Sequence, residues 1–289
     1  MEIDVKPWEW MVKPTPQTEW ISHHGMLIWL AFFSIELGAG MYFVSIFLNN
    51  PGGMLAGWLI LPILGGGGLF LHIGHKRRAW RLMMNFKSSW ISRGFILIGI
   101  NTVLGAVHLA LNRWGNADVA SNMGIVMGVF LVLVILYGGF VISSIKSIPT
   151  WNSPLIPVLF MVLGLLGGAE LALALNMESV LTESWIRVLM PMYVLLLVIY
   201  MVTVYQYTST GKHVFKTIIS SSLAPIFYVG VLGLGVLLPL GVVIAGVYSE
   251  VSTVILAIAI AGGIIGDLSI RYCIFRCGFY TPLLTQSKY

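Results

Sequence analysis

The sequence predicts an all-α membrane protein that crosses the bilayer eight times. Three observations carry the prediction. Hydrophobic residues make up 58% of the chain and charged residues 9%, with a mean hydropathy of +0.92, a balance soluble domains do not reach. The apolar residues gather into eight stretches, each close to the ~20 residues a helix needs to cross hydrocarbon. Charge collects between the stretches, most of all in LHIGHKRRAWRLMMNFKSSWISRG (71–94), which holds six of the sixteen Lys and Arg and no acid. Those residues, Lys76, Arg77, Arg78, Arg81, Lys87 and Arg93, alternate with Trp80, Phe86 and Trp90. Unpaired cations cannot lie in hydrocarbon, so this segment marks a water interface.

In chain order the expected spans are 25–48, 54–73, 95–111, 123–145, 155–175, 186–207, 223–247 and 251–270. The first contains WLAFFSIELGAGMYF, with Glu36 near its middle and the small-residue patch Leu37-Gly38-Ala39-Gly40. The second contains Pro62 and the glycine run 65–68, which in a bundle permits a kink and close backbone approach. The third carries His108 toward its outer end, the fourth Tyr137 toward its inner end, and the fifth Glu170 toward its outer end. The last two spans meet near 248–250 and leave room only for a very short loop. The eighth carries Asp267 and Arg271, followed by Cys273 and Cys277, two cysteines without iron–sulfur or zinc spacing that read as packing residues. The first twenty residues are polar and tryptophan-rich, so no cleavable signal peptide is expected.

Eight spans place both termini on one side. With the N-terminus inside, the inner segments hold Lys6, Lys13, the basic loop, Lys146, Lys212, Lys216, Arg271, Arg276 and Lys288. The outer loops hold only Arg113 and Arg187. Positive charge favours the cytoplasmic side, so a multi-pass protein of the cytoplasmic (inner) membrane with both termini cytoplasmic is expected. The pI near 9.2 does not point to nucleic acid, because the cations flank apolar spans and form no polar basic domain. The partner is the lipid bilayer.

Ionisable groups inside spans are the candidate functional residues. Glu36 reads either as a proton-relay group or as an acid hydrogen-bonded to a neighbouring helix. Asp267 and Arg271 stand four apart and suit a direct, structural ion pair. Glu170 and His108 are the remaining candidates for a proton route. His24, His72 and Tyr137 converge at one depth near the inner face, in the same layer as Trp29, Trp90, Arg93 and Trp151. Histidine and tyrosine beside a basic loop suit the carbonyl oxygens of a quinone, although belt tryptophans need no function. No span holds the two separated histidines of a diheme arrangement, and a single heme between His24 and His72 is the weaker reading.

The basic segment, with its His-Leu-Gly-like step and the Ser-Trp-x-Ser-Arg-Gly opening of the next helix, resembles the NrfD / polysulfide reductase membrane subunits. Trp151-Asn152-Ser153-Pro154-Leu155-Ile156-Pro157 and Gly266-Asp267-Leu268-Ser269-Ile270-Arg271-Tyr272, then Gly278, Tyr280 and Pro282, extend the likeness over nearly the whole chain. The resemblance implies two four-helix bundles: residues 1–24 as a cytoplasmic segment, 25–146 as the first bundle with the basic loop 75–93, 147–272 as the second, and 273–289 as a tail. It implies a heme-free and metal-free subunit that exchanges electrons and protons with menaquinone or ubiquinone. The expected partners are a ferredoxin-like iron–sulfur subunit and a molybdopterin or other catalytic subunit of the same complex. Arg77, Arg78 and Arg81, with the N-terminal Trp8, Trp10 and Trp20, are expected to dock the iron–sulfur partner. The resemblance has a gap: aligning the small-residue patch puts the family's first-helix histidine and asparagine at Ala31 and Leu27, and only the fourth-helix tyrosine has a counterpart, Tyr137. Two alternative functions stay open, a proton-translocating subunit and a purely anchoring one.

Overall fold

The computed structural model describes residues 9–22, 25–176 and 180–282, with the side chains of all of these but 9, 10, 180–183 and 207. Eight helices among them are long and apolar enough to cross a membrane. They are α1 (Met26–Phe47), α2 (Pro51–His72), α3 (Trp90–Trp114), α4 (Ala117–Ser143), α5 (Leu155–Leu175), α6 (Val180–Tyr207), α7 (Ile226–Tyr248) and α8 (Thr253–Arg276). The eight-span prediction holds, with boundaries moved by a few residues. The basic segment is shorter than expected: residues 76–85 form a 3₁₀ helix, and Trp90 and Arg93 already belong to α3. The last span runs further, so Arg271 lies inside α8 and not among the inner-loop cations.

Local chemistry sets the ends. The α1–α2 turn uses Asn49 at φ 49°, a left-handed position that asparagine tolerates. Asn50 then caps α2 by accepting from the Gly53 N–H at 3.0 Å, with Pro51 at the first helical position. Ser89, Asn116 and Ser252 cap α3, α4 and α8 in the same way. Two helices leave α geometry within their spans. Residues Ile60–Gly66 of α2, around Pro62, and Ile226–Leu237 of α7 are π-helical.

Helix α1 is the axis of the molecule. It packs along α2 and α5 and also contacts α4 and α8. Glycines make the α1–α5 approach possible: a Cβ on Gly40 would fall on the Gly164 backbone, and one on Gly168 on the backbone of Gly40 and Met41. The small-residue patch of the first span is this seam.

The first and last described segments meet at one end of the bundle. β1 (Thr15–Pro16) pairs antiparallel with β2 (Phe279–Tyr280), and the Gln17 N–H donates to the Gly278 carbonyl at 2.8 Å. The α4–α5 loop joins this face through Trp151, which donates from its indole to the Ile274 carbonyl at 2.8 Å. The amphipathic surface helix Ser209–Ser220, capped by Thr208, reaches it through His213 against Phe279 at 5.0 Å.

Candidate functional site

Two features of the interior have chemical content. The first is a cavity of about 420 Å³ between α1, α2, α3 and α4, open toward the end that bears the β1–β2 pair. Its walls are apolar: Ile28 and Phe32 from α1, Leu69 and Phe70 from α2, Phe95 and Ile98 from α3. Among the described residues, three ionisable side chains interrupt them. Tyr137 of α4 lies deep in the cavity, fully buried, and its hydroxyl has no hydrogen-bond partner. His72, half-buried in the last turn of α2, lies nearer the rim, and Glu19 of the N-terminal segment stands at the opening. The Tyr137 ring is held by Phe32 at 5.5 Å, edge to face, and by the backbone of Gly94, where any Cβ would collide with it.

The second feature is a buried charge cluster at the joint of α1, α5, α6 and α8. Arg271 is completely buried. Its Nη1 donates to Glu36, its Nε donates to Asp267 at 2.5 Å, and its guanidinium carbon lies 4.5 Å from the centre of the Phe160 ring. Glu36 is fully buried and Asp267 nearly so. Glu36 Oε1 has no partner and sits where a side chain on Gly138 would be. Glu170 is cradled the same way by Gly263 of α8. Tyr193 of α6 lies within electrostatic reach of Asp267, Glu170 and Arg271, with its hydroxyl buried and unpartnered. One guanidinium thus faces two carboxylates, with a third nearby, in a dry interior where removing charge from water is expensive. The two features adjoin: Tyr137 of the cavity and Gly138 against Glu36 are consecutive residues.

A further cavity of about 740 Å³ opens at the opposite end, lined by Arg187, Tyr248, Glu250 and Leu173 among others. Leu173 is buried and lies one helical turn beyond Glu170 on α5.

The sequence-derived candidates therefore separate. Glu36, Asp267, Arg271 and Glu170 come together in the cluster. His72 and Tyr137 share the cavity, and His24 lies outside the described residues. Arg93 and Trp90 do not line the cavity. Arg93 donates to the carbonyls of Phe86 and Lys87 at 2.9 and 2.7 Å and lies over the Trp90 ring at 4.4 Å, while Trp90 stacks on Phe140 at 4.5 Å. These two fasten the basic segment to α3 and α4. His108 stands apart from the cluster, bridging α1 and α3: Nδ1 meets the Tyr42 hydroxyl at 3.0 Å and Nε2 meets the Asn112 amide at 3.0 Å. Arg77, Arg78 and Arg81 are exposed on the 3₁₀ helix, beside the exposed Trp80, Met83, Met84 and Phe86. Trp20 is partly buried, packed on Trp151 at 5.8 Å and Phe275 at 6.2 Å; Trp8 and the side chain of Trp10 lie outside the described residues.

The resemblance gap has a structural counterpart. Ala31 packs against α2, where a Cβ on Gly68 would stand 3.0 Å from the Ala31 Cβ. The cavity is lined by Ile28 and Phe32 instead. Sequence reasoning missed the Glu36–Arg271 pair, Tyr193 and Glu19. The first two partners are 235 residues apart, and no spacing could reveal them. Charge balance was the usable signal, since Arg271 is the cation the eighth helix buries.

The family model described as "Polysulphide reductase, NrfD" matches residues 16–282. Among individual proteins, the sequence is similar to the C polypeptide of polysulfide reductase from Wolinella succinogenes, 27% identical over 216 residues, covering 64% of this protein and 68% of that one. It is similar to protein NrfD of Escherichia coli, 27% identical over 196 residues, covering 52% and 60%. It is also similar to the C polypeptide of sulfite dehydrogenase from Allochromatium vinosum, 28% identical over 128 residues, covering 40% and 39%. The matched stretches span less than two thirds of the last two relatives.

Proposed function

The chain belongs to the NrfD polysulphide reductase family, and on that premise we propose that this membrane subunit of a redox complex exchanges electrons and protons between membrane quinone and an iron–sulfur partner. The observation that carries the reading is the orphaned Tyr137 hydroxyl at the inner end of an apolar cavity. A buried O–H without a partner is expensive and rare, and a ligand oxygen satisfies it. A quinone is largely apolar; its polar atoms are two carbonyl oxygens, joined in ubiquinone by two methoxy oxygens. A cavity of about 420 Å³ with donors at two depths, Tyr137 and His72, fits that chemistry and falls within the usual size of small-molecule sites. Tyr137 would orient one oxygen; His72, nearer the rim, would hold or receive a proton at the other.

The partner is a ferredoxin-like iron–sulfur subunit, joined in turn to a molybdopterin or other catalytic subunit. It docks over the basic 3₁₀ helix, where cations and exposed aromatics offer a mixed polar surface close to the cavity mouth. This face is cytoplasmic, by the distribution of Lys and Arg, in the inner membrane. The quinone is menaquinone or ubiquinone, and the protein supplies no heme or metal of its own.

A second reading, proton translocation, has its own support. The cluster of Glu36, Asp267, Arg271 and Glu170 stands between the quinone cavity at one end and the cavity above Leu173 at the other. With carboxylates in excess of guanidinium, it can hold an exchangeable proton midway. A passive anchor would gain stability by replacing such a cluster with apolar side chains.

The test is quinol turnover in the assembled complex. Tyr137→Phe and His72→Ala should each lower it by about tenfold or more, the loss of one hydrogen bond to a reacting oxygen. Activity of the catalytic subunit with an artificial dye should persist. Wild-type quinol turnover in both variants would remove the cavity as the site.

A further inference from the structure

The cavity opens under the N-terminal segment, and that segment is built into the fold. Gln17 is buried, and its amide donates to the Phe275 carbonyl at 2.6 Å at the end of α8. Its side-chain oxygen accepts from the Trp20 N–H at 3.0 Å. The Ser22 N–H donates to the Thr18 carbonyl at 2.9 Å. At Gly25 the backbone of Glu19 and Trp20 comes so close that no Cβ fits. The β1–β2 pair anchors the segment on one side and the Trp20 ring anchors it on the other, against Trp151 and Phe275. Glu19 stands between these anchors and lines the cavity while remaining exposed to water.

We infer that Glu19 is the proton portal of the cavity, the group through which protons pass between a bound quinol and water on the face that bears the β1–β2 pair; this rests on the quinone reading above. When a quinol is oxidised, two O–H bonds break and two electrons go to the iron–sulfur partner. Two protons must then reach bulk water. Tyr137 is sealed inside and His72 is only partly exposed, whereas Glu19 is exposed at the mouth. A carboxylate fixed with one side on the cavity and the other in solvent relays the protons: an O–H forms at Glu19 as His72 or an intervening water releases its proton, and breaks again toward solvent. Quinone reduction runs the same transfers backward. Among the described residues, the titratable groups that face Glu19 are His72 across the cavity and Tyr280 on β2.

The experiment uses the complete complex with a short-chain quinol. Glu19→Gln should lower kcat by about tenfold or more, in the range of general acid–base contributions, with little change in KM. Dye-coupled activity should not change. Glu19→Asp should restore most of the rate, and so should millimolar azide or formate, small acids that carry protons into a site lacking its carboxyl. A photoreactive quinone applied to the wild type reports on the site itself. If it labels the cavity while Glu19→Gln turns over normally, the portal is refuted and the quinone reading stands. If the rate loss responds neither to Glu19→Asp nor to the small acids, Glu19 is only structural and the inference fails. If the wild-type cavity is not labelled, the quinone reading fails and takes this inference with it.

Discussion

Arg271 gives the sharpest test of how the interior is held together. Arg271→Gln removes the guanidinium and leaves two buried carboxylates facing each other. Both were balanced by it, Glu36 through Nη1 and Asp267 through Nε at 2.5 Å. Breaking a buried ion pair by removing one partner costs about 3–5 kcal/mol. For a protein of this size each kcal/mol lowers the melting midpoint by about 2 °C, so a fall of about 6–10 °C is expected. The protein carries its own reporter: Cys273 on α8 and Cys277 at its C-cap follow Arg271, both are buried, and a thiol-reactive dye reaches them only on unfolding. The cost should be mainly one of stranded charge. Adding Glu36→Gln and Asp267→Asn to Arg271→Gln should therefore recover at least half of the lost stability, although contact with the Phe160 ring stays lost. If Arg271→Gln melts within about 1 °C of wild type, the change expected of an ordinary surface site, the cluster is not an ion-paired core and the reasoning fails.

Three other outcomes are expected. Gly94→Val drives a side chain into the Tyr137 ring and should reduce quinol turnover by about tenfold, with dye-coupled activity intact; Gly94→Ala should do less. Replacing Arg77, Arg78 and Arg81 together by Ala should weaken partner binding by about tenfold, since each exposed charge contributes up to about 1 kcal/mol, and the difference should shrink at high salt; retained binding in a pull-down would assign the loop to lipid headgroups. A reporter fused to the C-terminus should be active in the cytoplasm, and a reporter active only outside would reverse the assigned orientation.

The number of helices and their order were legible in the sequence, because each follows from local physics. A span declares itself by about 20 apolar residues in a row, and a loop by charge that hydrocarbon will not hold. The family likeness was legible for a similar reason: the basic-aromatic turn and the Ser-Trp-x-Ser-Arg-Gly step lie within one continuous segment. The Asp267–Arg271 pair was legible from its four-residue spacing alone. Helix-end boundaries were harder, and the error mattered once: ending the eighth span at 270 put Arg271 in the inner loop, when it is the centre of the buried cluster. What only the tertiary structure decided is which distant residues meet. Glu36 meets Arg271 because α1 and α8 converge where glycines on α4 and α8 leave space for carboxylates. Tyr137 and His72 share a cavity while Arg93 turns back to cap its own loop, and Glu19 joins them because Gln17 pins the N-terminal segment over the mouth. Helix periodicity determines the face on which a side chain lies, but its partner is chosen by packing between helices, and packing is not written in any one stretch of the sequence.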